Sequence, residues 1–125
     1  MVESFWAIPD VTNIRTPMSI LREQATALTE QTKGKLVGVV EVHKGADEEL
    51  YVQLDVSVPA LNDYRYRLLT YNQPIELYPG SLFIGNEGPR AVFNEAAFLT
   101  NIKSVLSSDK VKNVLVSLLS QVMAA

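Results

Sequence analysis

The amino-acid sequence lacks several residue types that carry common chemistry. Its 125 residues include no cysteine and a single histidine, His43. The absence of cysteine excludes disulfides, thiolate nucleophiles and cysteine-bound metals. A metal site would therefore depend on carboxylates, and the acidic residues 47–49 lack the spacing of a calcium-binding loop. We expect neither a metal nor a cofactor.

Basic side chains and long apolar runs are also scarce. Eleven Lys and Arg against 14 Asp and Glu give a net charge of −3, so we expect no nucleic-acid partner. No apolar run approaches the ~20 residues of a membrane span. Residues 1–10 carry Glu3 and Asp10 and do not resemble a secretory signal. We therefore expect a cytoplasmic protein that forms one domain over residues 1–125 and does not contact a membrane.

The clearest structural signal lies in residues 50–58. Aliphatic side chains occupy every even position, and the positions between them are polar apart from Tyr51. This period of two predicts a strand with one buried face.

The segments on either side of this strand predict its two neighbours. If Lys44 faces Leu50, the aliphatic faces of residues 36–44 and 50–58 coincide. Gly38 would then leave room for a bulky neighbour or mark a bulge. Residues 64–71 predict a third strand whose register sets Arg67 opposite Asp55. The same register sets Leu68 opposite Leu54 and leaves Leu69 and Tyr71 on the polar face.

Helices are predicted at both ends of the chain. Thr16 and Pro17 are typical of a helix start, and the spacing predicts a helix over about 17–33, stopped by Gly34. Asn94 caps a second helix. Residues 107–109 form a break before a third helix, whose apolar stripe begins at Val111.

The predicted fold class is α+β. An apolar N-terminal arm (1–15) precedes a helix (16–34), an antiparallel three- to five-stranded meander (35–84) and two C-terminal helices (94–125) packed on one sheet face. Residues 75–78 predict a short fourth strand and residues 82–84 a last one. The arm packs either on its own domain or on a neighbouring subunit.

The polar face of the sheet is the candidate binding site. Aromatic and arginine side chains carry much of the energy of protein interfaces, and this face combines them with carboxylates. The alternatives are a solvated face or an active site. The candidate partner-binding residues are Glu41, His43, Tyr51, Gln53, Asp55, Arg65, Arg67 and Tyr71.

No motif predicts a catalytic residue. Glu41 could orient His43 as a general base, but no nucleophile is placed beside them. Residues 80–87 have the glycine spacing of a phosphate loop. However, Asn86 and Glu87 stand where lysine and a hydroxyl residue are required, so we interpret the segment as a turn.

Several segments resemble a family of small uncharacterised bacterial proteins. The resemblance implies a bacterial cytoplasmic protein and supplies no activity, ligand or site. The element order, acidity and size also resemble type III secretion chaperones, which are dimers that hold an extended partner segment; this likeness is at the level of the fold alone. The segments that resemble the bacterial family are residues 16–25, 58–61, 64–68, 76–79 and 106–121.

Three functions follow as hypotheses. The first is a non-enzymatic module that binds a protein partner or itself. The second is a small-ligand-binding protein or enzyme that uses Tyr, Arg, Asp and Glu in a cleft between sheet and helices. The third is nucleic-acid binding through Arg65, Arg67 and the tyrosines, which the acidic balance disfavours.

Overall fold

The structure is a computed structural model that describes residues 2–125. Its strands form one antiparallel sheet in the order β1-β2-β3-β4-β5, so the chain meanders without a crossover. The predicted α+β fold, with one helix before the sheet and two after it, is confirmed. The elements are α1 (Pro17–Gln31), β1 (Val37–Lys44), β2 (Leu50–Val58), a 3₁₀ turn (Pro59–Leu61), β3 (Tyr64–Gln73), β4 (Gly80–Phe83), β5 (Arg90–Val92), α2 (Glu95–Leu106) and α3 (Asp109–Ala124).

All helices of residues 2–125 lie on one face of the sheet. This helix-covered face carries the even-numbered residues of β2 from Val52 to Val58, which are at most 2% exposed. The Phe98 ring of α2 meets the Tyr71 ring of β3 with centroids 4.9 Å apart. Leu28 of α1 and Leu115 of α3 line one crevice with Leu54 of β2. The opposite face, which we call the open sheet face, has no helix within the described residues.

Helix α1 begins as predicted and ends slightly earlier. The Thr16 hydroxyl accepts the Ser19 N–H at 3.0 Å, and the Ser19 hydroxyl accepts the Thr16 N–H at 3.0 Å, a reciprocal capping box. The helix ends at Gln31 because Lys33 already has φ 53°. The Gly34 N–H donates to Thr29 O at 2.9 Å, which satisfies a terminal carbonyl.

Gly38 allows α1 to approach β1 closely. The predicted β1–β2 register is confirmed from Lys44 opposite Leu50 to Gly38 opposite Val56. A Cβ at Gly38 would lie 2.4 Å from Ala25 Cα. The Gly38 N–H also donates to the Thr29 hydroxyl of α1 at 3.0 Å. The glycine is therefore in contact with a helix backbone, neither beneath a bulky side chain nor at a bulge.

A bulge in β3 corrects the predicted register of its second half. Arg67 does lie opposite Asp55, but Leu69, rather than Leu68, lies opposite Leu54. The extra residue places Leu68 and Leu69 together on the helix-covered face, where they are 6% and 0% exposed. Every residue after the bulge changes face, so Tyr71 is buried in the core.

The later strands differ from the prediction. Residues 75–78 form no strand, and Ile75 is 96% exposed. Pro74 and Pro79 bracket this segment, and neither has the N–H that a strand ladder needs. The predicted last strand lies at Gly80–Phe83. Strand β5 (Arg90–Val92) was not predicted, because three residues are too few to show a period of two.

Both C-terminal helices begin at predicted caps. Asn94 Oδ1 accepts the Ala97 N–H at 2.8 Å, and the Ser108 hydroxyl accepts the Val111 N–H at 3.3 Å. The predicted apolar stripe of α3 faces the core, with Val111 and Leu118 buried.

Candidate interaction surfaces

The open sheet face brings together seven of the eight predicted site residues. Alternation along the strands directs them away from the helices, and the register pairs His43 with Tyr51, Glu41 with Gln53 and Asp55 with Arg67. Tyr71 is the exception. The seven residues on this face are Glu41, His43, Tyr51, Gln53, Asp55, Arg65 and Arg67.

An ion-pair network occupies the centre of this face. Arg67 Nε lies 3.2 Å from Asp55 Oδ1, and Arg65 Nη1 lies 3.8 Å from Asp55 Oδ2. Arg65 also donates a hydrogen bond to Glu41. The Asp55 side chain is only 5% exposed, whereas those of Arg65 and Arg67 are 43% and 54% exposed. The carboxylates therefore hold the guanidinium groups from below, and the surface offers cations to solvent.

Arg65 lowers the pKa of Glu41 below its ordinary 4.5, mainly through this hydrogen bond and then through its charge. A carboxylate with a lowered pKa in the folded state stabilises the protein above the unfolded pKa. This stabilisation is lost as pH falls through the folded-state value.

Glu41→Gln is therefore expected to weaken the acid dependence of stability. Below about pH 5, the free energy of unfolding should fall less steeply with decreasing pH in the variant than in the wild type. Urea unfolding over a series of acidic pH values measures this slope. Glu76→Gln is the matched control, because Glu76 is exposed and makes no ion pair within residues 2–125. Equal slopes in wild type and Glu41→Gln would contradict the expectation.

His43 belongs to the edge of the same network. Its Nε2 lies 3.3 Å from Glu41 Oε2, and its side chain is 53% exposed. Because Glu41 also accepts from Arg65, its carboxylate is shared between two partners and is not dedicated to orienting the imidazole. Within residues 2–125 no group of three or more His, Asp and Glu side chains could hold a metal ion.

Tyr51 and Gln53 lie beside the network. The Tyr51 hydroxyl donates to Asp47 Oδ2 at 2.8 Å, which raises the pKa of Tyr51 and lowers that of Asp47. This bond fixes the aromatic ring over the β1–β2 turn. Gln53 is half-buried between the neighbouring strands, and its Oε1 has no hydrogen-bond partner among the described residues.

Tyr71 does not belong to the binding surface, contrary to the prediction. Its side chain is 0% exposed, and its hydroxyl donates to Leu77 O at 2.9 Å. Its ring packs against Tyr78 and Phe98. Burial raises the pKa of Tyr71 to about 12. The cause of the error is the β3 bulge, which reverses the face of every residue that follows it.

The N-terminal arm (residues 2–15) is the largest exposed apolar feature of the described chain. Phe5, Trp6 and Ile8 are 92%, 84% and 81% exposed. The expectation that the arm packs on its own domain is therefore wrong for these side chains. Local bonds shape only its last part: Asp10 Oδ1 accepts the Thr12 N–H, and Val11 O accepts the Ile14 N–H.

A groove between α1 and the C-terminal helices is a second feature that sequence reasoning missed. It consists of two adjoining crevices of about 190 and 450 Å³ that share Gln24 and Leu106. The smaller one reaches the sheet at Leu54 and Leu68. Lys103 is the one charged residue among those that line either crevice. We call this the α1 groove.

No helix within residues 2–125 has the length and apolar character needed to cross a membrane. Comparisons of the chain with protein-family models, with curated proteins and with solved structures give no match. The resemblances to a bacterial family and to type III secretion chaperones therefore remain predictions.

Proposed function

We propose that this chain is a non-enzymatic protein-interaction module that binds a protein partner or a second copy of itself. The observation that carries the proposal is the exposed apolar arm. Large apolar side chains clustered on the surface of a monomer mark an interaction site, and Phe5, Trp6 and Ile8 fall within four consecutive residues. Aromatic side chains are also the residues that contribute most to binding energy.

The open sheet face supports the same proposal as a second contact area. Arg65 and Arg67 point outward above a buried carboxylate, so their guanidinium groups are held in place before binding. Such groups suit a partner surface that presents carboxylates or aromatic rings. We assign partner contacts on this face to Glu41, His43, Tyr51, Gln53, Asp55, Arg65 and Arg67.

Light scattering over a concentration series tests the role of the arm. We expect the mass of the wild type, or its chemical cross-links to other proteins in a cell extract, to exceed those of the double variant Phe5→Ser with Trp6→Ser. The matched control is Val116→Ser with Met123→Ser, which removes two exposed apolar side chains from α3. A wild type that stays monomeric and gives the same cross-links as the arm variant would overturn the proposal.

The α1 groove favours one alternative, a small-ligand-binding protein. A crevice of about 190 Å³ with apolar walls is large enough for a small aromatic molecule. Such a ligand would be apolar, because Tyr51, Asp55, Arg65 and Arg67 lie on the other face of the sheet. Native mass spectrometry that finds an apolar small molecule bound to the purified chain would favour this alternative.

The expected cytoplasmic location, the bacterial origin and the absence of a nucleic-acid partner remain predictions. For the last, a salt titration of binding to mixed-sequence DNA is the direct check.

A further inference from the structure

We infer that the N-terminal arm docks in the α1 groove of a second copy of the chain, so that two copies exchange arms. The inference rests on the proposed function, because it names the partner that the arm binds. It joins two features of the same chain that are both unoccupied and chemically matched.

The groove has the shape and lining for an aromatic side chain. Its floor and walls are apolar, formed by Ala25, Leu28, Leu54, Leu68, Leu106 and Leu115. The volume of about 190 Å³ exceeds the ~150 Å³ of a cavity that accepts benzene. The adjoining crevice along Ile20 and Ile102 extends the groove toward the start of α1, so an extended peptide can lie along it.

The arm offers the complementary chemistry. Phe5 and Trp6 supply rings of the size that the groove accepts, and Ile8 supplies an aliphatic side chain two residues further on. Residues 2–14 contain two acids, Glu3 and Asp10, and no basic residue. The one charged side chain among the groove-lining residues is the cation of Lys103, so the charges of arm and groove are opposite.

The area that an exchange would bury is sufficient for a stable dimer. Phe and Trp side chains bury about 150–250 Å² each, so two arms with Ile8 included remove about 1,000 Å² from water. The grooves lose a similar area, which brings the total to about 2,000 Å², at the upper end of the standard range for specific interfaces.

A second copy fits better than the arm's own groove. The arm leaves α1 at Thr16, where the capping box and the 2.7 Å pair of Arg15 with Glu23 fix the chain as it enters the helix. The groove runs from this end of α1 toward Gln31. To enter it, an arm must reverse direction on its own helix, whereas the arm of a two-fold related copy approaches from outside.

Cysteine cross-linking tests the docking, and the absence of native cysteine makes it clean. The variant Ala7→Cys with Gln24→Cys places one thiol in the arm beside Trp6 and the other on the groove, at two exposed positions that leave Phe5 and Trp6 intact. Under mild oxidation we expect a covalent dimer whose peptide map shows a bridge between positions 7 and 24 of different chains. The control pair is Ala7→Cys with Ser120→Cys, whose second position is exposed on α3 and lines neither crevice.

The outcomes separate this inference from the proposed function. An interchain 7–24 bridge that forms much faster than the control bridge supports the exchange. A 7–24 bridge within one chain overturns it in favour of the arm's own groove. Absence of the bridge while the Phe5 and Trp6 substitutions still abolish association overturns the docking site and leaves the proposed function standing.

Discussion

Phe98→Ala is expected to lower the free energy of unfolding by about 3–5 kcal/mol. The Phe98 side chain is 0% exposed. Its ring lies 4.9 Å from the Tyr71 ring and 6.2 Å from the Tyr78 ring, both in edge-on geometry. Truncation removes these aromatic contacts and leaves a cavity at the position where α2 meets the sheet. Because α2 forms one wall of the α1 groove, we also expect the variant to bind the arm less well.

Urea unfolding followed by circular dichroism measures this loss. Phe93→Ala is the matched control, since Phe93 precedes the same helix and is 70% exposed. We expect the control to change stability by no more than about 0.5 kcal/mol. Similar losses in the two variants would contradict the packing described for α2.

Gly38→Ala is expected to lower the free energy of unfolding by about 3 kcal/mol, at the upper end of the usual range for overpacking. The new Cβ would lie 2.4 Å from Ala25 Cα and 2.5 Å from Ala25 O. These are backbone atoms of α1, so no side-chain rotation relieves the clash and the helix must move off the sheet. That movement would also stretch the hydrogen bond from the Gly38 N–H to Thr29 and alter the α1 groove.

Gly88→Ala is the control for this substitution. A Cβ at Gly88 has no described neighbour within 4 Å, so the change affects chiefly the conformational freedom of the unfolded chain. Thermal unfolding of both variants makes the comparison. If Gly38→Ala is as stable as Gly88→Ala, the close approach of α1 to β1 is contradicted.

Much of the fold could be predicted because its signals are local. The helix starts at Thr16, Asn94 and Ser108 rest on side chains that bond backbone groups two or three residues away. The β1–β2 register follows from matching two aliphatic faces across a short turn. For the same reason Asp55 and Arg67 were correctly paired, since they lie close to the turn that joins β2 to β3.

The bulge in β3 could not be predicted from the same pattern. Leu68 and Leu69 are both apolar, so the sequence is compatible with either of them facing Leu54. What selects Leu69 is the space beneath the helices, which accepts both leucines and the Tyr71 ring. A one-residue shift changes the face of each later residue, and this is why Tyr71 was placed wrongly in the binding site.

The two surfaces on which the functional proposal rests are also properties of tertiary structure. The apolar residues of the arm suggested burial, and their pattern left the covering surface open. The α1 groove exists because α1 and the C-terminal helices pack on the same sheet face without closing over Leu54 and Leu68. No run of residues in the sequence marks such a gap between helices that are distant along the chain.

The emission wavelength of Trp6 across a dilution series tests the role of the arm most directly. Trp6 is the only tryptophan of the chain, and its side chain is 84% exposed in the single copy described here. We predict emission typical of a solvated indole at high dilution and a shift to shorter wavelength as the concentration rises, absent in Phe5→Ser. An emission wavelength that stays at the solvated value at every concentration, and in the presence of a cell extract with no tryptophan-containing partner in excess, would contradict the account.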